Sequence, residues 1–298
     1  MSDPVRAAPR FSVVIATLGR PDVLRETLAT VARCDPAPHE VVVVDGDTAG
    51  SAEEAATAAG ARYARSRTGL TAQRNAGLDL ASGDVVVFVD DDTEVDPGLL
   101  AALARAYGDD AVAGATGRVV DRDLRRFGNM RSRWRRLLPG GGREGSLTRF
   151  GYPRRVQDET REHDVEYMLG GLMSARREPA ARVRFDERLS GYGLLEDEDF
   201  SYRLSRLGRL RFVPDAVVVH RNVDAARKVC PARMREFNRT VVVNRAYLFR
   251  KNFRRTPLAR LEFALLVVVL AVHRAVNGEW AGVRGLAEGS VEAWRQRA

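Results

Sequence analysis

The chain has 298 residues, enough for one large α/β domain or two small ones, with a core that needs no disulfide staples. Cys34 and Cys230 lie far apart and fit neither a disulfide framework nor a CxxC metal or redox motif, so a reducing cytoplasm is the expected home. Against 40 acidic residues stand 48 basic ones, nearly all arginine, and the net charge of +8 favours an anionic partner without choosing among nucleic acid, a phosphorylated substrate and an acidic membrane surface.

The opening MSDPVRAAPR is too polar for a signal peptide, so the protein is expected to stay inside the cell. Four apolar, β-branched runs follow: Phe11 to Ala16, Glu40 to Asp45, Ala61 to Arg65 and Asp84 to Asp90. The continuous ones read as strands buried on both faces. Between them, Leu24, Leu28 and Val31 recur at helical spacing after Pro21, a residue suited to a first helical turn. A second helix is predicted over Thr71 to Ala81, with Ala72, Ala76 and Leu80 on one face. This alternation argues for βαβ units and a parallel sheet whose ligands gather beyond the carboxyl ends of the strands. Thr17, Asp45, Asp90, Asp91 and Asp92 would all collect on that edge.

From Arg118 to Arg161 the pattern dissolves into an arginine-dense segment broken by Pro139, Gly140, Gly141 and Gly142, which reads as a long functional excursion. Order returns at Tyr167 to Ala175. A helix is predicted from Asp199 to Leu207 with Phe200, Leu204 and Leu207 on one face, then a last strand from Leu210 to His220. The rest reads as helical. Its apolar stretch from Phe263 to Val272 is well short of the ~20 residues that cross a bilayer, so a buried or interfacial helix is expected there.

Two acidic clusters carry the chemistry. In FVDDDTEVDPGLL, Asp90, Asp91 and Asp92 stand where a buried strand stops, and Pro97 is expected to open a helix. Hard cations want oxygen ligands, and magnesium is usually held by one or two carboxylates together with substrate phosphates. A solvated acidic turn is the plainer alternative, and the strand end argues against it. In LEDEDFSYRL, four consecutive acids lead into a helix. One or two would merely complement the helix dipole, whereas four repel one another and raise carboxylate pKa values, as suits a general base. His220 closes VVVH, and Arg74 lies early in its helix, where a cation near backbone N–H groups could hold phosphate.

In this order and spacing, the motifs resemble the family-2 glycosyltransferases of the GT-A fold, from about Phe11 to about Arg221. SVVIATLGRPDVLRETLATV resembles the family's first strand, loop and helix; VVVVDG resembles the strand whose last Asp, here Asp45, contacts the nucleotide base; LTAQRNAGLDLASGDVVVFVDDD resembles the helix and strand leading into the DxD motif. The likeness makes Asp90 and Asp92 the two acids of that motif, with Asp92 the direct metal ligand and Asp91 beside the ribose or phosphates. MLGGLMSARR resembles the acceptor-site segment, RFDERLSGYGLLEDEDFSYRL the element whose second ED acid, Asp197, is the catalytic base, and VVVHR the strand whose histidine, His220, completes the metal site. Thr17 and Arg74 join Asp45, Asp90 and Asp91 around the nucleotide.

The resemblance implies a GT-A type, Rossmann-like, mainly parallel sheet flanked by helices, with a helical C-terminal extension. Residues 1–225 would form the catalytic domain, its nucleotide-sugar half at about 11–118 and its acceptor half at about 119–225, and 226–298 the extension. The activity implied is inverting transfer of a sugar from a nucleoside-diphosphate donor to a hydroxyl of a saccharide or lipid-linked saccharide, with Mg2+ or Mn2+, in building the cell envelope. Two departures stand out: DGDTAGS replaces a serine-rich acidic loop, leaving the roles of Asp47 and Thr48 open, and no QxxRW motif occurs, which argues against a processive synthase. Arg125, Arg126, Arg131, Arg133, Arg135 and Arg136, with the apolar stretch near 263–272, suit peripheral contact with an anionic inner membrane face. A sugar nucleotidyltransferase is the alternative enzyme, although TLGRPD lacks a glycine-rich basic triphosphate loop. A nucleic-acid-binding module is the alternative of another class, and the acids at 90–92 and 196–199 make an awkward face for a polyanion, so no nucleic acid is expected as a partner.

Overall fold

The computed structural model describes residues 8–121, 143–156, 160–189, 192–221 and 230–296. The six arginines named between 125 and 136, and the Pro139–Gly142 break, lie outside them. Among the described residues, those up to Asp121, from Val156 to Glu187 and from Glu196 to Arg221 make one compact unit, and the remainder make a second.

The first unit is built on one mixed sheet. Strands β1 (Phe11–Thr17), β2 (Glu40–Asp45), β3 (Arg62–Arg65) and β4 (Val85–Asp90) pair in parallel in the order β3-β2-β1-β4. Helices α1 (Pro21–Val31), α2 (Glu53–Ala58) and α3 (Leu70–Leu80) connect them. The sheet continues through β8 (Leu172–Arg176), antiparallel to β4, then β6 (Val112–Asp121) and β9 (Arg209–His220), which run parallel to each other. Two short strands, β5 (Thr93–Val95) and β7 (His163–Val165), pair antiparallel with β9. Helices α4 (Leu99–Ala106), α5 (Arg177–Val183) and α6 (Glu196–Leu204) complete the unit.

Every residue of β1 is buried, as an unbroken β-branched run requires when helices cover both faces. Period-two alternation divides the core. Val13, Ile15, Val43, Val85 and Val87 pack with Leu24, Leu28, Leu100 and Leu103 on one face. Val14, Val42, Val86 and Phe88 pack with Leu78, Phe185 and Phe200 on the other, where Phe185 and Phe200 stack at 4.3 Å and Phe88 meets Phe185 edge-on at 5.2 Å. Each such side chain contributes about 1.5–3 kcal/mol by leaving water.

Four differences from the sequence reading stand out. Helix α4 begins at Leu99 rather than at Pro97, because β5 occupies the stretch after the acids. Strand β6 runs through Arg118, where the pattern seemed to end; its Gly114 looks like a breaker, but a Cβ there would meet Leu204 and Leu210 at 2.9 and 3.0 Å. In α3 the buried set is Leu70 to Asn75 with Gly77 and Leu78, so the first turns are buried all round, polar residues included, and Gly77 lets the helix press onto Val14. Leu207 lies past the end of α6 and is exposed, whereas Phe200 and Leu204 are buried.

The second unit contains α7 (Pro231–Asn252), α8 (Pro257–Val276) and α9 (Trp280–Arg295). Gly285 and Gly289 bring α9 against α7, where Cβ atoms would collide with the Arg235 and Arg239 carbonyls, and the ion pairs Arg235–Glu288 and Arg239–Glu292 flank the contact. Phe150, Phe249, Ala259 and Leu266 form its apolar centre. No helix among the described residues is long and apolar enough to cross a membrane.

Candidate active site

The carboxyl ends of β1, β2 and β4 place Thr17, Asp45 and Asp90 in adjacent strands, in the registers Thr17↔Asp45 and Ala16↔Asp90. Asp92 and His220, far apart in the chain, meet through β5. Thr93 pairs directly with His220, and the Arg221 amide donates to the Asp92 carbonyl at 3.0 Å, so the residues flanking that pairing are fixed side by side. His220 Nε2 lies 3.0 Å from Asp92 Oδ1 and 4.0 Å from Asp90 Oδ2. One ligand atom from each of Asp90, Asp92 and His220 falls within 4.8 Å of the others. Two hard carboxylate oxygens and one imidazole nitrogen at that spacing fit a divalent cation such as Mg2+ or Mn2+.

Asp91 points elsewhere. Its carboxylate accepts from Thr17 Oγ1 at 2.7 Å and from Arg20 Nε at 3.2 Å, and Arg20 also pairs with its second oxygen. Burial is the main influence and pushes Asp91 up to about 6 despite Arg20 and Thr17. Burial acts on Asp92 as well, but the hydrogen bond and charge of His220, with Arg20, outweigh it and hold that carboxyl below its ordinary value.

Arg74 is almost fully buried in α3 and joins three acceptors: Glu196 Oε1 at 2.7 Å, Asp90 Oδ1 at 3.1 Å and the Gly170 carbonyl at 2.9 Å. The Gly170 amide in turn donates to Asp197 Oδ2 at 3.0 Å. One guanidinium therefore links the end of β4 to the start of α6. Burial first, then the neighbouring Asp197, pushes Glu196 up to about 8 against the pull of Arg74. Leu195, just before this helix, has a positive φ of 73°, a conformation uncommon outside glycine and typical of strained functional turns. Asp199 is committed to Arg203 at 2.6 Å.

Asp45 is fully buried. Its oxygens accept from the Asp47 and Ala52 amides at 2.8 and 3.1 Å and from the Tyr63 hydroxyl at 3.2 Å, which pins the loop after β2.

Against this geometry, the profile described as glycosyl transferase family 2 matches residues 12–183, more than half of the chain. The chain belongs to glycosyl transferase family 2. The family is one of glycosyltransferases, and the sheet and flanking helices of this chain have the GT-A arrangement. A mannosyltransferase of Pyrobaculum calidifontis, solved with GDP-Man and Mn2+, superposes with a TM-score of 0.59 at 17% identity over 98% of this chain and 89% of that one. GalNAc-T7 with UDP, GalNAc and Mn2+ superposes at 0.56 and 20% identity over 79% of this chain and 48% of that one. An uncharacterized protein of Mycobacterium tuberculosis (strain CDC 1551 / Oshkosh) is 33% identical over 143 residues, 44% of each chain, so this family-2 chain spans less than half the length of the curated relative it matches.

Within the family-2 chain, Asp90, Asp92 and His220 come together, as do Thr17 with Asp91, and Arg74 with Asp90. Asp197 is joined to them through Gly170 and Arg74, while Asp45 is tied into its own loop. The sequence reading passed over Arg20, Glu196, Gly170 and Arg221. Arg20 stands in TLGRPD and Glu196 is the first acid of the ED pair, so both were within motifs already in view. Arg221 follows His220 and donates to Thr27 Oγ1 at 2.7 Å, a contact with no local signal in the sequence.

Proposed function

We propose that this glycosyltransferase moves one sugar from a nucleoside-diphosphate donor to a hydroxyl of a saccharide or lipid-linked saccharide acceptor of the cell envelope, with inversion and with help from Mg2+ or Mn2+. What carries the reading is the convergence of Asp90, Asp92 and His220 on one cation-sized space, linked by hydrogen bonds to Asp197. The two superposed structures, bound to Mn2+ with GDP-Man or with UDP and GalNAc, support the donor class.

In this reading Asp197 takes the proton from the acceptor hydroxyl as its oxygen forms a bond to the anomeric carbon. The bond from that carbon to the diphosphate breaks on the opposite face, and the electron pair leaves with the phosphate oxygen. A cation held by Asp90, Asp92 and His220 would neutralise the charge gathering on the diphosphate. Asp197 keeps its orientation because the Gly170 and Glu198 amides each donate to one of its oxygens. Thr17 and Asp91 would stand at the ribose or phosphate end of the donor, Arg74 would add positive charge behind Asp90, and Asp45, its oxygens held by Asp47, Ala52 and Tyr63, would shape the loop that meets the base. An anionic, lipid-linked pyrophosphate acceptor suits a chain so rich in arginine.

The test is a donor panel. Purified protein with Mn2+ and single UDP-, GDP- or dTDP-sugars should hydrolyse one donor slowly, releasing nucleoside diphosphate, and should be protected by it against thermal unfolding. Release of pyrophosphate instead would identify a nucleotidyltransferase. A product whose anomeric configuration matches the donor's, read by NMR, would refute inversion.

A further inference from the structure

Helix α8 has apolar residues on two sides, one packed within the second unit and one turned outward. Ala259, Glu262 and Leu266 are buried, with Phe263 and Leu270 packed on the apolar centre of the second unit. On the opposite side Leu258, Leu261, Leu265, Val268, Val272 and Val276 are exposed by 46 to 72%. At 100° per residue these six fall within one arc of about 80°, a continuous stripe along five turns. Soluble proteins rarely leave such a stripe bare.

Its surroundings have a consistent character. From Arg250 to Leu261 the chain carries Arg250, Lys251, Arg254, Arg255 and Arg260 and no acid. Lys251, Arg254, Arg255 and Arg260 are exposed. Beyond the carboxyl end of the stripe stands Trp280, 63% exposed, an amphipathic side chain of the kind that settles at headgroup depth. The helix cannot span a bilayer. An aliphatic stripe with a basic start and a terminal indole is instead the composition of a helix lying in the interface.

We propose that the outward face of α8 docks on an anionic bilayer, lying in the plane of the surface, with the Arg250–Arg260 run over acidic headgroups. Positive charge at one end of the stripe is complementary to an anionic surface, whereas a second copy packed side by side in parallel would set that run against its twin. The inference stands apart from the sugar-transfer reading, because binding needs neither donor nor acceptor.

Flotation of the full chain tests it, using vesicles of phosphatidylcholine with about one-third phosphatidylglycerol against phosphatidylcholine alone, at low salt. The wild type should float with the anionic vesicles only, with a blue shift of tryptophan emission that Trp280→Phe diminishes. Val268→Glu should cut binding by about tenfold or more, and Arg254→Glu with Arg255→Glu should do likewise. Leu261→Glu, at a still more exposed position, serves if the first variant unfolds, and a cooperative thermal unfolding transition like that of the wild type verifies that either is intact. The proposal is overturned if the wild type stays at the bottom of the gradient, if both glutamate variants float undiminished, or if the wild type is a dimer that Val268→Glu splits with no vesicle binding in either form.

Discussion

The two acidic clusters look alike in sequence and are resolved by different geometry. At Asp90 to Asp92 the chain is leaving a strand, so the outer pair turns one way, toward His220, and Asp91 turns the other way, toward Thr17 and Arg20. At Glu196 to Asp199 the chain is entering a helix, and the acids fan out: Glu196 to Arg74, Asp197 to the Gly170 amide, Asp199 to Arg203. The strand end concentrates two carboxylates on one space, and the helix start sends Glu196, Asp197 and Asp199 to separate partners. Consecutive acids therefore do not imply mutual repulsion as the dominant effect; burial comes first for both Asp91 and Glu196.

Breaking the dispersed cluster should have the largest consequence. Asp197→Asn is expected to lower transfer by about 10²- to 10⁴-fold while nucleotide affinity stays near wild type, measured by turnover and calorimetry. Retention of most activity would remove Asp197 as the base. Severing the link between the clusters comes next. Arg74→Met removes the buried donor that Glu196 Oε1 and the Gly170 carbonyl share and should cost about 2–3 kcal/mol in a denaturant titration, because it leaves buried acceptors unsatisfied. Asp92→Ala attacks the concentrated cluster and should weaken nucleotide binding about a hundredfold with Mn2+ and little without it, so equal titrations with and without the metal would count against its ligand role.

The smallest effect distinguishes the clusters by pH. Glu196 titrates near 8 in the folded protein, above its unfolded value, so its contribution to stability is complete below the ordinary carboxylate range and is lost as pH rises through about 8. Glu196→Gln should flatten the decline in stability between about pH 5 and 8, by on the order of 1 kcal/mol per pH unit. Parallel pH profiles for the two proteins would show that Glu196 is not the group responsible.

Much of the first unit was legible. Unbroken valine runs announce β1, β2 and β4, and Pro21 with Leu24, Leu28 and Val31 announces α1, because local pattern and global burial agree there. The glycines of β6 disguised a strand whose neighbours leave no room for a Cβ. β5 was invisible because three residues carry no periodicity, and yet it aligns Asp92 with His220. Arg74 reads in the sequence as a cation near a helix start that could hold phosphate; nothing local to α3 reveals that Glu196 and Gly170 come to it from far along the chain.

The placement of His220 at the very end of β9 has a consequence for biosynthesis. Chain growth delivers every carboxylate of the strand-end cluster before the imidazole, and β9 must also pair with β5, β6 and β7. A nascent polypeptide halted at residue 208 would carry Asp90 and Asp92 without their nitrogen partner. The juxtaposition of Asp90, Asp92 and His220 can therefore form only after β9 has been synthesised and its long-range pairing, the slowest kind to form, has closed.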